Sequence, residues 1–515
     1  MKTNNIFAKS ALLAIAALSF AACSEKYMDD INRDYNHSTD ANAKFIIPDL
    51  ELRTAQDVVG GDLNTYFGAY VEHWEGCHNQ LHNAEHRGNQ IIAASTYNNN
   101  WSTIYENIRN AKIIVNKCSQ GGSEDGDDLA LAIGEIMLAY NAAVVTDVFG
   151  NTPFSQVGDY LNFPNPDLDT QENIYKDIFG LLDNAIELLA EDPANTVGAS
   201  DFIYNGDAES WMKFAFGLKA RYTMRLINRS ADKDADYAKI IEFADNSFES
   251  ADEEASLNVY DASNCNPLFD FQWSRDGICS SKSMYNKLKD LNDPRINHAY
   301  EDGSDWYAMS AEEAGKRIVT NGTTDQCQGF YPYDVFFFSE LADVNLLSYH
   351  ELMFIKAEAQ VALGQDATDA LKEGIEAGLY NFNENVVAAN NAPSVLIYGG
   401  IEDTGIVPDS EIEAYSASIA GKYAAADDND KYSIVLIQKY IAMWGANGES
   451  TETYNDVRRL KSQNNDVYSF LNAGKFPLRA GYGTDDTSSN PYVQKAFGDG
   501  YYVYTENVWW AGGSR

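Results

Sequence analysis

The chain has 515 residues, 37 of them basic and 77 acidic, for a net charge of −40 at pH 7. Such an excess of carboxylates excludes nucleic acid and anionic surfaces as partners, because phosphate recognition rests on Lys and Arg. Aromatic residues reach 12%, with 32 Tyr and 8 Trp, more than a helical core requires, which points to a face that binds rings or sugars.

At the N-terminus, Lys2 and Lys9 precede the apolar run 11–22, which is too short to span a bilayer and has signal-peptide form. It ends in Ala21-Ala22-Cys23, which resembles a bacterial lipoprotein signal. Residues 1–22 are therefore expected to be removed and Cys23 to be lipidated, with residues 23–45 as a polar tether carrying Glu25, Asp29 and Asp30. Loss of 1–22 removes two Lys and no acid, so the mature charge is 35 − 77 = −42. Lipid chains anchor a protein to a membrane without spanning it.

Pro48 opens a helix that runs to about Val59, where Gly60-Gly61 breaks it. A second helical run carries Tyr66, Phe67, Tyr70, Val71 and Trp74, and residues 78–100 read as a long polar connection. Apolar residues at helical spacing predict helices over 101–118, 129–148, 169–190, 208–228 and 235–246, with Asp207 capping the fourth. Residues 348–378 carry the plainest signal. Ser348 and Glu351 form a capping box, Leu352, Ile355, Ala359 and Ala362 recur on one face, and Gly364 closes the helix. A second helix carries Ala370, Leu371 and Ile375 and is expected to end at Gly378. Small residues (Ala357, Ala359, Ala362, Ala370, Gly374) allow close packing. This is a hairpin of tetratricopeptide type, which buries its apolar face only by stacking on another. Further helices are expected over 433–444 and 453–462. The architecture is mainly α, a single domain over 46–515. Its helical scaffold covers 46–250 and 348–378, and two loop-rich insertions cover 251–347 and 379–515. Loops of that length in a compact fold usually carry function.

Past Cys23, five cysteines remain, none in a CxxC pair, which argues against structural zinc. Cys118 shares an apolar face with Ile104, Ile108, Ala111 and Val115 and reads as a buried thiol. Cys265, Cys279 and Cys327 fall in loop-like sequence, where an oxidising exterior could pair two of them; no pairing involving these or Cys77 follows from the sequence. His78, His82 and His86 recur at i, i+4, i+8 beside His73 and Cys77, a stripe that on a helix could hold a soft divalent metal. That spacing supports metal acquisition as the alternative function. The acidic runs Glu124–Asp128 and Asp427–Asp430 could bind structural calcium but lack EF-hand order and read as solvated loops. A nucleophile elbow, HExxH and a P-loop are all absent from the sequence, so a surface glycosidase or peptidase has no motif behind it.

Several stretches together resemble one family. These are Thr146-Asp147-Val148-Phe149-Gly150-Asn151-Thr152-Pro153-Phe154-Ser155, and Tyr204-Asn205-Gly206-Asp207 continuing through Trp211, Phe214, Leu218, Arg221, Met224 and Arg225. Asp293-Pro294-Arg295, Ser348 to Gly364, Ile437 to Ala442, Arg458-Arg459 and Val508-Trp509-Trp510 follow in order. In this order, behind a lipoprotein signal, they resemble the SusD/RagB nutrient-binding outer-membrane lipoproteins, in the SusD-like subgroup. Val457 stands where the subgroup often has Trp, and Phe476 to Gly483 lacks its usual Tyr-Pro pair. The resemblance implies about four tetratricopeptide-like hairpins packed against a SusC-type TonB-dependent transporter. It further implies a lid, lipid-anchored in the outer membrane of a Gram-negative bacterium and facing the exterior, where the acids after Cys23 resemble an export tag. Such a lid captures an oligosaccharide, or in some members a peptide, without breaking a bond, and no cofactor is implied. The ligand face would come from about 74–101 and 265–345. On the first segment Trp74, Arg87, Tyr97 and Asn98-Asn99-Asn100 are the candidates. On the second they are Trp273, Arg275, Asp276, Trp306, Tyr331 and Tyr333. Trp273 with Arg275, beside Gly277, is the foremost pair.

Overall fold

In the computed structural model the described residues are 41–87, 94–497 and 503–515. The signal peptide, Cys23 and most of the tether lie outside them, as do residues 88–93 of the polar connection. Helix α1 (Ile47–Arg53) continues through a π turn over Thr54–Val59 into α2 (Asp62–Tyr70). The expected run to Trp74 stops early. Glu72 adopts a left-handed φ of 61°, and its carboxylate accepts from the Leu471 and Asn472 amides at 2.9 and 2.7 Å. That reversal sends Trp74–Gly76 out as strand β1. The polar connection that follows is not all loop, because Asn79–Glu85 forms a short helix, α3.

The scaffold follows: α4 (Asn98–Cys118), α5 (Asp128–Phe149), α6 (Gln171–Ala190), α7 (Ala208–Arg225) and α8 (Lys233–Asp245). Asp207 accepts from the Ser210 amide at 2.8 Å, the expected cap. Every residue of α5 from Leu129 to Phe149 is buried. A helix apolar on all sides needs neighbours on all sides, and α4, α6 and α7 pack around it. Cys118 is buried as expected.

The first insertion holds β2 (Ala255–Leu257), α9 (Pro267–Arg275), β3 (Ile278–Ser280), α10 (Lys282–Leu291), β4 (Tyr300–Glu301), β5 (Tyr333–Asp334) and β6 (Val344–Leu347). Its strands form three two-stranded antiparallel pairs: β1–β3 ties the insertion to the segment after α2, while β2–β6 and β4–β5 close within the insertion itself. In the first, Trp74 faces Ser280, Glu75 faces Cys279 and Gly76 faces Ile278. Cys279 is thus a buried strand residue and not a loop thiol. All five described cysteines are free, Cys265, Cys279 and Cys327 among them.

The chain returns to the scaffold with α11 (Tyr349–Ala362) and α12 (Thr368–Asn390), then α13 (Asp409–Ala425), α14 (Asp428–Ala442) and α15 (Ser450–Lys461). Pairs α4–α5, α6–α7, α11–α12 and α13–α14 make four hairpins, with α8 packed between α7 and α11. Ser348 caps α11 by accepting from the Glu351 amide at 3.1 Å, and Gly364 is left-handed at φ +68°. Gly378 does not end α12, which runs twelve residues further, to Asn390. A Cβ on Gly378 would lie 2.7 Å from that of Ala442 in α14, so the glycine serves close helix contact. Residues 379–515 therefore contain scaffold helices as well as loops.

The motif residues quoted above form a buried ionic seam within this scaffold. Glu351 does not reach back to its cap; Arg221 Nε donates to it at 3.0 Å. Arg225 Nε meets Asp147 at 3.1 Å, and Arg459 grips Glu358 at 2.7 and 2.9 Å. Asp456, although burial opposes its charge, is held well below the usual carboxylate range by Lys439, Arg459 and Arg225. Asp293 accepts both from Arg295 Nε at 2.9 Å and from Nη2 at 2.7 Å, and Arg295 Nη1 also meets the Ile441 carbonyl at 3.3 Å. These arginines join helices, as their chemistry favours.

Candidate functional site

Helix α9 organises the exposed aromatic region. Asn266 caps it, accepting from Leu268 and Phe269 amides at 2.9 and 3.3 Å while its own amide donates to the Ala342 and Ala446 carbonyls. At the other end Asp276 takes a left-handed φ of 47°, and Gln272 braces the turn through both main-chain groups of Ile278, each at 3.1 Å. A capped, braced helix displays side chains in fixed directions.

Residues four apart share a face, and two apart diverge by about 200°. Phe269 and Trp273 therefore stack, ring centroids 5.5 Å apart and 15° from parallel, while Phe271 and Arg275 occupy another face. Trp273 and Arg275 thus lie on different flanks of α9. Trp273, 38% exposed, sits between Trp306 at 5.8 Å and Tyr398 at 6.0 Å. Trp306 is half-buried against Phe338 and adopts φ +55°, a costly conformation for a bulky residue. The Asp302 carboxylate holds that turn by accepting from the Ser304 and Asp305 amides at 2.8 Å. The loop that carries Tyr398 is fastened to it, since the Glu402 amide donates to the Trp306 carbonyl at 2.9 Å and Glu402 Oε2 accepts from the Ala308 amide at 3.0 Å. Three rings from three segments form one open platform. Sequence reasoning missed Tyr398, which is 69% exposed beside exposed Leu396 and Ile397. The available signal was an apolar run, Val395 to Tyr398, ahead of Gly399-Gly400, since consecutive exposed apolar residues normally serve a function.

The remaining sequence candidates lie elsewhere. Trp74 is 0% exposed, and its indole donates to the Thr65 carbonyl at 3.0 Å. Tyr97 is buried among Tyr66, Phe67 and Phe149. Arg87 is buried, donating to the Tyr70 and Gly474 carbonyls at 2.8 and 3.2 Å. Tyr333 is buried and donates to Asp276; Tyr331, also buried, accepts from the Asp325 amide. These five are buried within the fold, bonded or packed to neighbouring segments, and offer no ring or charge to a ligand. Aromatic residues fit either role by composition, and burial separates the roles.

The histidine stripe is not assembled on one helix. His78 precedes α3 in extended conformation, His82 lies within it and His86 follows it. The His82 and His86 rings are 4.1 Å apart, with His82 Nε2 on the Thr324 carbonyl at 3.0 Å and His86 Nδ1 on the His82 carbonyl at 2.9 Å. His73 is core, bonded to Ser450 and the Tyr440 carbonyl, and burial lowers its pKa to about 3. Among the described residues, three metal-ligand atoms lie within 4.8 Å of one another at Cys118, Glu124 and Asp127. Those carboxylates are engaged: Glu124 with the Ala43 amide and Lys117, Asp127 with the Ala130 amide and Thr196. Burial pushes the Cys118 thiol up to about 12. The group closes α4 onto α5. Asp427 of the second acidic run caps α14 by accepting from the Asp430 amide.

Two polar hollows flank the Phe271–Arg275 face. A cleft of about 460 Å³ is lined by Asp57, Asp62, Asp270, Asn99, Asn100 and Thr103 among others. A cavity of about 330 Å³ is lined by His78, Asn79, Gln80, Leu81, Asn83, Phe271, Arg275, Gly277 and Gln326. Both volumes are of ligand size.

The β4–β5 pair carries two buried acids, Glu301 and Asp334. Burial and the neighbouring Glu402 push Glu301 up to about 9, and burial raises Asp334 to about 8. Both hold a proton at neutral pH in the folded state and lose it on unfolding. Their contribution to stability is therefore whole at pH 4 and falls as pH rises toward 8–9, by up to about 1.4 kcal/mol per pH unit for each group. Glu301→Gln is expected to raise the melting temperature at pH 8.5 and leave it unchanged at pH 4.5, as read by scanning calorimetry. An equal shift at both would show that Glu301 is not protonated in the fold.

The profile of the family described as starch-binding, associating with outer membrane, matches residues 35–483. Among solved structures, the chain is similar to a SusD/RagB family protein from Bacteroides thetaiotaomicron. The two share 42% identity with a TM-score of 0.87, over 92% of this chain and all of the other. A chitin-binding protein shares the fold at 21% identity and TM-score 0.69, over 91% of this chain and all of its own. A SusD homologue from Bacteroides fragilis does so at 17% and 0.71, over 92% and 100%. A search of curated proteins finds no match.

Proposed function

The chain belongs to the SusD-like family of starch-binding proteins that associate with the outer membrane, and from that premise we propose that it captures oligosaccharides at the cell surface for a SusC-type TonB-dependent transporter. The platform of Trp273, Trp306 and Tyr398 carries this reading. Sugars present flat C–H faces, and an open arc of rings held by main-chain hydrogen bonds supplies matching surfaces with little ordering cost. Capture without turnover accords with rings that bind and a sequence free of hydrolase motifs. Cys23 would carry the lipid anchor in the outer membrane, with the domain facing outward.

The test uses residues 24–515 with Cys23→Ser; residues 43–515 already form a compact unit. Thermal shift against a glycan array and a peptide library should return glycan hits, because a ligand specific to the folded state raises the melting temperature. Peptide hits without glycan hits would overturn the ligand class. The full chain, extracted from outer membranes in mild detergent, should co-purify with a large β-barrel transporter. Extraction as a free protein would remove the transporter partnership. Cys23→Ala should abolish incorporation of labelled fatty acid.

A further inference from the structure

We propose that the cavity of about 330 Å³ beside α9 is an anion-selecting subsite that takes the carboxylate of a uronic acid ring, so that the preferred ligand is an acidic oligosaccharide. This inference rests on the glycan reading above.

The argument starts from Arg275. It is exposed at the last position of α9 and, among the described residues, makes no ion pair. In a chain with 77 acids and 37 bases, a guanidinium left without a carboxylate partner is a place where one can be supplied. Asp62 lies on the cleft side, where Arg275 acts to lower its pKa against the larger effect of burial. On the cavity side the lining residues include no carboxylate. They offer the Arg275 guanidinium, the His78 imidazole and four carboxamides, Asn79, Gln80, Asn83 and Gln326. Asp276 is close to His78, but its carboxylate is already taken by Tyr333 and Gln272. The two hollows therefore differ in sign across one residue. The cleft gathers Asp57, Asp62 and Asp270, and the cavity gathers donors.

Those donors match a carboxylate. Guanidinium presents two parallel N–H groups to its two oxygens, and carboxamide NH₂ groups can satisfy the remaining lone pairs. The Phe271 ring borders both hollows and provides a wall for a sugar ring. Because Trp273 and Arg275 sit on one rigid helix, an oligosaccharide stacked on Trp273 can cross the end of α9 and place an acidic ring in the cavity.

The test is isothermal titration of residues 24–515 (Cys23→Ser) with tetragalacturonate, maltotetraose and chitotetraose. Tetragalacturonate is expected to bind at least about tenfold more tightly than the neutral sugars. Arg275→Gln should erase that ratio, Arg275→Lys should keep part of it, and Trp273→Ala should weaken all three sugars together. Neutral sugars binding as well as tetragalacturonate, or a ratio unchanged in Arg275→Gln, would overturn the anion subsite and leave the glycan reading standing. Binding of none of the three sugars would overturn the uronic-acid subsite, while the glycan reading stands or falls on the array.

Discussion

Trp273→Ala is expected to reduce glycan affinity by at least about 2 kcal/mol, roughly 30-fold, while the free protein remains folded. The residue is the middle ring of the platform, touching Trp306 on one side and Tyr398 on the other. Its removal takes away the stacking surface and breaks the arc into two isolated rings. Stability should fall by only about 1–2 kcal/mol, because the indole is already partly in water and its main packing partner is Phe269. Tyr398→Ala, at an end of the arc, should cost less affinity and almost no stability. Trp74→Phe should show the reverse pattern, a lower melting temperature with affinity preserved, since its indole nitrogen is bonded in the core. Calorimetric titration beside thermal unfolding separates the cases. Trp273→Ala with unchanged affinity for every glycan hit would remove the platform from the binding site.

Arg459→Met is expected to be the most damaging single change to the scaffold, costing about 3–5 kcal/mol. Arg459 and Glu358 are both fully buried and joined by two hydrogen bonds, and Arg459 also meets Asp456 at 3.1 Å. Removing the guanidinium leaves the Glu358 carboxylate with the Tyr432 hydroxyl at 2.6 Å as its remaining side-chain donor. An uncompensated buried charge is what makes such truncations severe; the intact pair itself adds little net stability. The double variant Arg459→Met/Glu358→Leu should therefore recover much of the loss, leaving mainly the disturbed Asp456. Urea unfolding of the two single variants and the double variant measures this directly. A double variant as unstable as the sum of the singles would show that the pair does not act as a unit.

The helical hairpins were legible because their signals are local. Ser348 and Gly364 occupy the capping positions their chemistry demands, and the 3.6-residue period of α4 to α7 needs no knowledge of partners. Gly378 misled for the opposite reason. Read alone, a glycine after a helical run marks an end; here it makes room for Ala442, a contact 64 positions away in sequence. Trp74, Arg87, Tyr97 and Tyr333 failed as ligand candidates in the same way. Their side chains suit binding, but distant partners bury them.

By itself, the sequence determined what depends on short-range periodicity, turn chemistry and ordered motifs: a mainly helical chain of stacked hairpins, its family and its strong negative charge. Only the tertiary structure decided which rings reach water, that Trp273 and Arg275 part company around α9, and that Tyr398 joins the platform from a segment 125 positions after Trp273 (398 − 273). Exposure and convergence are properties of long-range packing, set by which surfaces meet when hairpins and insertions close on one another, and no window of local sequence contains them.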